Sequence, residues 1–285
     1  MISFLIPAYN EEDSIQETIT TLRKVMDETS WVYEIIVIDD GSQDHTYQTA
    51  EQCDVVLLRN PINCGYGCAL KNGVKNSSYD WCAIVDADGS YPIDNFPELL
   101  KYIPDFEMVV GARSGKHFYG SLAKRVGRNA LLAITEYVTG RDIPDVNSGM
   151  RIFRRDIALK HINRISSGFS FTATITLAMS MEGHFIKYVP INYLPRVGKS
   201  KVNMPKDTLR MLQVLSRAIL YYNPVKLFLP ISLSALLWGA ILMIILGLLG
   251  SWTMGVFFFA VSALVAMTIG SFGFLADMIR LIQNT

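Results

Sequence analysis

Between Pro224 and Ile282 the chain carries only three formal charges, Lys226, Asp277 and Arg280, within a total of 285 residues. So long an apolar block cannot be covered by a small water-facing core, and it limits the fold more than any other feature. Residues 225–249 and 253–275 are each long enough to cross a hydrocarbon core of about 30 Å as helices. The connecting "GSWTMG" is short and uncharged, which predicts a helical hairpin. Arg210, Arg217 and Lys226 lie before or at the start of the first span, Arg280 follows the second, and the link has no charge. The positive-inside rule then predicts cytoplasmic ends, with the whole preceding domain on the same side.

The excess hydropathy, a mean of +0.26, sits almost entirely in this block. The preceding residues read as an ordinary charged globular domain. Lys and Arg total 26 and Asp and Glu total 26. Without the basic excess of a general nucleic-acid binder, no nucleic-acid partner is expected. Cys53, Cys64, Cys68 and Cys82 form no Cys-x-x-Cys pair and come with no histidines at zinc-site spacing, so free thiols in a reducing compartment are expected. His45, His117, His161 and His184 are scattered singly, which favours surface or structural roles. "MISFLIPAYNEE" has neither a basic start nor a long apolar core, so no signal peptide is read there, and the sequon at Asn76 is discounted.

Along the first hundred residues, apolar runs alternate with helical patterns. "ISFLIP" reads as a buried strand. In the next segment Ile15, Ile19, Leu22 and Val25 or Met26 share one helical face, with Asp13 or Ser14 placed to cap it. "EIIVIDD", "DVVLL" and "WCAIVDADG" read as further strands, with helices near residues 46–52 and over "GCALKNGVKN". This alternation predicts a mostly parallel sheet with helices on both faces, and ligands in such sheets bind beyond the carboxyl ends of the strands. Pro7-Ala8-Tyr9-Asn10, Asp39-Asp40 and Asp86-x-Asp88 all fall at that edge. Further on, "EMVVGAR" and "FIKYVPI" read as strands. "LAKRVGRNALLAITEYVTG" and "TATITLAMSMEG" read as helices ended by Gly140 and Gly183, and "DVNSGMRIF" as a loop and strand. Residues 206–223 place Leu209, Leu212, Leu215 and Ile219 on one face with basic residues elsewhere. That pattern fits an interfacial helix, or a helix packed on the preceding domain.

Asp86 and Asp88, one residue apart after an apolar strand, repel each other unless something neutralises them. A solvated turn is one answer. An EF-hand is excluded because its sixth loop position is Tyr91 rather than glycine, and "GYG" at 65–67 lacks the third glycine of a dinucleotide fingerprint. No Gly-x-x-x-x-Gly-Lys-Ser/Thr occurs. A divalent cation held by two carboxylates and by phosphate oxygens of a substrate is the remaining chemistry; such an ion also assists departure of a diphosphate.

"IPAYNEE", "EIIVIDDGSQDHT", "NCGYGCALKNG", "VDADGSYP", "GAR", "DVNSGMRIF" and "VGKSK" follow the order and spacing of family 2 glycosyltransferases. The chain resembles their dolichyl-phosphate mannose synthase and polyprenyl-phosphate glycosyltransferase branch over about residues 1–205. The resemblance implies an α/β fold of GT-A type over 1–205, and the hairpin resembles the anchor of many members. With the patterns above, the chain divides into that domain, an interfacial helix over 206–223 and a membrane hairpin with a short tail over 224–285. It implies an inverting, metal-dependent hexosyltransferase that moves a sugar from a UDP- or GDP-sugar to a polyprenyl (dolichyl or undecaprenyl) phosphate. Pro7, Ala8, Tyr9, Glu11, Asn63, Gly65, Lys71, Asp86 and Ala87 are then donor-binding residues, and Asp39 or Asp40 hydrogen-bonds the base. Asp86 and Asp88 hold Mg2+ or Mn2+, with Ser90 or water completing the shell. Asp145, with Asp88 and Arg113, is implied in catalysis as base or acceptor orienter; the carboxylate many relatives carry near Ala173 is missing here. Arg125, Arg151, Arg196, Ser200 and Lys201 are implied at the acceptor phosphate.

A phosphate monoester with a second pKa near ~6 is already mostly dianionic at pH 7. It needs holding more than deprotonation, and forked, permanently charged arginines suit that. Transfer to a glycan or lipid hydroxyl is the alternative within enzymes, and a non-catalytic membrane subunit the alternative outside them. A processive polysaccharide synthase is not expected, since two spans cannot build a channel and no Gln-x-x-Arg-Trp occurs. Self-association stays open.

Overall fold

A computed structural model describes residues 1–115, 122–168, 170–195, 213, 216–217 and 219–283. The chain forms two compact units, Met1–Met211 and Leu212–Thr285.

The first unit is built on one seven-stranded sheet. In chain order it comprises β1 (Ile2–Ala8), α1 (Ile15–Asp27), β2 (Tyr33–Asp39), α2 (Thr46–Glu51), β3 (Val56–Arg59), α3 (Tyr66–Asn76) and β4 (Trp81–Ile84). Then follow α4 (Phe96–Leu100), β5 (Met108–Ser114), α5 (Leu122–Thr139), β6 (Arg151–Arg154), α6 (Arg155–Lys160), α7 (Phe171–Met181) and β7 (Ile186–Asn192). The strand order is β3-β2-β1-β4-β6-β5-β7. β1 pairs in parallel with both β2 and β4, so their carboxyl ends lie side by side. β6 runs antiparallel between β4 and β5. The expected mostly parallel sheet therefore carries one reversed strand, which chain order alone does not reveal.

Alternation along β1 builds both cores. Ile2, Phe4 and Ile6 pack with Ile15, Ile19, Leu22 and Met26 of α1 and with Phe96, whose ring meets Phe4 edge-on at 5.1 Å. Leu5 points the other way, to Ile36, Ile38, Leu70 and Val74. Each such fully buried side chain contributes about 1.5–3 kcal/mol. Ser14 stands at the N-cap of α1, but its hydroxyl turns back to the Glu11 carbonyl and makes no capping bond. Gly140 and Gly183 follow α5 and α7 with φ of +69° and +89°, the left-handed ends that glycine tolerates best.

The second unit contains α8 (Val225–Leu248) and α9 (Trp252–Gln283), both long and apolar enough to cross a membrane by length and composition. α9 continues past residue 275, where the apolar pattern suggested an end. Between them Gly250 takes φ +80°. The helices touch through small residues: a Cβ on Gly239 would lie 2.4 Å from Ser262 Cβ, and one on Gly255 2.8 Å from the Met243 carbonyl. The Ser232 hydroxyl donates to the Ala266 carbonyl at 2.7 Å, giving a polar group a partner inside an apolar pair. Most of residues 206–223 lie outside the described residues.

Candidate active site

The loops after β1 and β2 are laced together before any ligand is considered. The Asp40 amide donates to the Ala8 carbonyl, the last residue of β1, at 2.8 Å. Asn10 N–H donates to Ser42 Oγ (3.0 Å), and Glu11 N–H to Thr46 Oγ1 (2.8 Å). Pro7, Ala8, Tyr9 and Glu11 thus sit on a braced edge beside the end of β2.

Asp39 and Asp40 are both buried, yet they do different work. Asp40 Oδ1 accepts from Asn60 Nδ2 (2.7 Å) and the Cys64 amide (3.1 Å), and Oδ2 from the Gly65 amide (2.8 Å). Asp40 therefore organises the 60–65 loop that leads into α3. Asp39 Oδ1 accepts from the Ser42 amide at 3.1 Å. Its Oδ2 is buried without a hydrogen-bond donor among the described residues, although Arg59 Nε lies 3.2 Å away as an ion pair. Of the two carboxylates left open by the sequence, Asp39 has acceptor capacity in reserve.

Gly65, at φ +98°, is the N-cap of α3. Gly67 is pressed against the 166–168 loop, where a Cβ would lie 2.5 Å from the Ser166 carbonyl. This seating turns the Tyr66 phenol onto Asp86, to whose Oδ1 it donates at 2.8 Å. Burial, and then the Asp86 carboxylate, push the Tyr66 phenol well above its ordinary pKa, so it stays a donor. Asn63 is exposed on the loop, and Lys71 reaches Ser167 Oγ at 3.1 Å, with burial pulling its pKa down.

Beyond β4, the Val85 amide still donates to the Leu5 carbonyl at 3.0 Å, so Asp86 begins where the sheet ends. Ala87 is buried, and its carbonyl accepts from the Thr18 hydroxyl at 3.2 Å. Asp88 Oδ1 accepts from the Ser90 amide at 3.0 Å and from its hydroxyl at 2.5 Å. Ser90, offered by the resemblance as a metal ligand, is fully buried and braces Asp88 from behind. Asp86 and Asp88 both stay partly exposed at the edge.

These two carboxylates fit a hard divalent cation, which Mg2+-type sites hold by one or two carboxylates with water and phosphate oxygens. Among the described residues, no group of three or more His, Cys, Asp or Glu is arranged to hold a metal ion by itself.

The 145–151 segment approaches from the other side. A Cβ on Gly149 would lie 2.5 Å from Asp86 Oδ2, and the Gly149 amide donates to the Tyr91 hydroxyl at 2.7 Å. Asp145, 3% exposed, clamps Arg113: Nε donates to Oδ2 at 2.8 Å, a second guanidinium nitrogen to Oδ1 at 2.9 Å, and the backbone amide to Oδ2 at 3.1 Å. Burial works against the Asp145 charge, but Arg113 outweighs it and holds the carboxyl below its usual pKa. Burial likewise opposes the Arg113 charge, which Tyr91 and Asp145 restore. The guanidinium also lies over the Tyr193 ring, 5.6 Å from its centre.

Arg151 is a correction. It was expected at the acceptor phosphate, yet it is fully buried, and its donors go to the carbonyls of Val146, Ser148 and Thr172 and to Thr176 Oγ1. It fastens the 145–149 loop to α7 and has no exposed surface for a ligand. Arg125 is exposed on α5, while Arg196, Ser200 and Lys201 lie outside the described residues. Tyr66, Tyr91 and Tyr193 carry no motif signal of their own: in the sequence "GYG" reads as a glycine pattern, and Tyr91 as the residue that spoils a calcium loop.

A sheet with a carboxylate pair beyond a central strand, braced by loops of its parallel neighbours, defines a GT-A domain. A family model described as "Glycosyl transferase family 2" matches residues 3–162, and the chain belongs to that family. The low-salt glycan biosynthesis hexosyltransferase Agl6 of Haloferax volcanii is 28% identical over 220 residues, or 75% of this chain; the chain spans about half of that relative, 52%. The undecaprenyl-phosphate mannosyltransferase of Micrococcus luteus is 29% identical over 215 residues, covering 70% of this chain and 86% of the relative. Among solved structures, glucosyl-3-phosphoglycerate synthase from Mycobacterium tuberculosis, crystallised with Mn2+, UDP-glucose and phosphoglyceric acid, superposes with a TM-score of 0.62. It is 19% identical, covers 76% of this chain and 79% of the other, and shares the fold.

Proposed function

We propose that this chain is a membrane-anchored, metal-dependent glycosyltransferase that moves a sugar from a UDP- or GDP-sugar to a polyprenyl phosphate, with inversion, at the cytoplasmic face. The observation that carries the reading is the state of Asp145. Both of its oxygens are engaged by Arg113 and by backbone amides, and its pKa is depressed, which suits it poorly to take a proton from an alcohol. An acceptor that is already an anion needs no such base. The printed name of the Micrococcus luteus relative, an undecaprenyl-phosphate mannosyltransferase, supports the same acceptor class.

Asp86 and Asp88 would hold a Mg2+ or Mn2+ ion. When bound, that ion supplies positive charge beside the departing diphosphate. The chain's own residues do the rest. Asp39 Oδ2 offers an acceptor to an N–H of the nucleobase, which uracil and guanine both present. Asp40 and Gly65 fix the loop against which the nucleotide lies. Asp145 holds Arg113 extended and charged, ready to face phosphate oxygens. Arg125, Arg196, Ser200 and Lys201 are the candidates for the acceptor phosphate, and α8 with α9 would bring the domain to the bilayer where that lipid resides.

The test is incubation of the purified full-length protein in detergent with undecaprenyl or dolichyl phosphate, a panel of UDP- and GDP-sugars, and Mn2+ or Mg2+ against EDTA. A chelator-sensitive lipid-phosphate sugar is expected with one donor. Transfer that is indifferent to EDTA would remove the metal from the reading, and absence of product with every donor would remove the acceptor.

A further inference from the structure

The Tyr66–Asp86 hydrogen bond links the loop that Asp40 organises directly to the carboxylate pair. It is built from several directions. Asp40 accepts the Gly65 amide, Gly65 takes φ +98° to start α3, and Gly67 leaves no room for a side chain against the 166–168 loop. The Cys68 amide donates to the Ser167 carbonyl at 2.9 Å, and Lys71 donates to Ser167 Oγ at 3.1 Å. The first turn of α3 is thus clasped from both sides. Tyr66, whose hydroxyl ends 2.8 Å from Asp86 Oδ1, has its orientation set by that clasp. On the opposite flank of Asp86, Gly149 closes in on Oδ2. The carboxylate is wedged between a hydroxyl donor and a glycine.

We infer that Tyr66 is a positioning residue for the metal site: its hydroxyl orients the Asp86 carboxylate for a divalent cation. The inference rests on the reading of Asp86 and Asp88 as the cation's protein ligands. Outer partners that orient ligating side chains typically change metal affinity 10–100-fold when removed. Tyr66 acts through Asp86, to whose Oδ1 its hydroxyl donates. Its contribution should therefore appear in metal affinity and hardly in folding.

The experiment compares full-length wild type with Tyr66→Phe in detergent. Phenylalanine keeps the ring in place and removes only the hydroxyl. Mn2+ binding is followed by the loss of the free-ion paramagnetic resonance signal, with UDP and with GDP at saturating concentration, and unfolding midpoints are recorded without metal. The expected result is a Mn2+ dissociation constant raised roughly tenfold or more in Tyr66→Phe, with the metal-free unfolding midpoint unchanged. Added Mn2+ should also restore transfer by the variant at saturation, which a general loss of structure would prevent. An affinity within twofold of wild type overturns the role of Tyr66 while leaving the metal reading intact. If wild type itself binds no Mn2+ with either nucleotide, both fall together.

Discussion

The two flanks of the site hold their charges in opposite ways. On the β4 side, Asp86 and Asp88 are partly exposed; Tyr66 donates to Asp86 and Ser90 to Asp88. On the 145–151 side, Asp145 and Arg151 are buried, and their polar atoms are engaged by protein partners. The first arrangement keeps carboxylate oxygen at the sheet edge, within reach of solvent. The second uses charge to fix a loop. An acidic residue's place in a motif therefore does not give its chemistry; what its oxygens already accept does.

That contrast breaks most sharply at Asp88. Asp88→Asn removes half of the proposed ligand pair without touching the core, so transfer should fall by roughly a thousandfold, the kinetic equivalent of several kcal/mol of metal assistance. The unfolding midpoint should stay put, and paired rate and melting measurements check this.

On the other flank, Arg151→Met should do the reverse. Three carbonyls and a hydroxyl lose their donor, which costs about 2–4 kcal/mol and lowers the midpoint by roughly 5–15 °C. If the variant melts normally but loses acceptor affinity, Arg151 belongs at the phosphate after all.

Asp145→Asn removes the carboxylate of the buried pair with Arg113 and should cost about 3 kcal/mol. Because the folded carboxyl has a lowered pKa, its contribution is fully present above the ordinary aspartate range near ~3.9 and is lost as pH falls through the lowered value. The stability gap between wild type and variant should therefore close in acid, as unfolding at pH 7 and pH 3 would reveal. Activity should rise through about pH 6 with the acceptor's second ionisation in both proteins. A midpoint that moves in Asp145→Asn would point to a base.

The smallest effect is expected at Asp39→Asn, where a charge-assisted hydrogen bond to a base N–H is weakened by roughly tenfold to a hundredfold in donor affinity. Titration with UDP, GDP and CDP checks it, since cytosine presents no ring N–H at that edge and should lose least.

Much of this architecture could be read from residue order. The apolar runs of β1 and β2 and the Asp-x-Asp after β4 placed the edge, because run composition and motif position are local properties. The position of β6 was hidden, since insertion of an antiparallel strand between β4 and β5 depends on long-range pairing. The burial of Arg151 was hidden for the same reason: a basic residue in a phosphate-binding family looks available until α7 covers it. The division of labour between Asp39 and Asp40 lies in which carboxylate the 60–65 loop reaches, and that depends on the turn at Gly65.

The most direct measurement offers the enzyme two acceptors of one chain length, a polyprenyl phosphate and the corresponding polyprenol, with the active donor and Mn2+. The account predicts glycosylation of the phosphate alone. Comparable transfer to the polyprenol would mean that a base does operate at this site, and would contradict the reading of the acceptor as an anion that needs none.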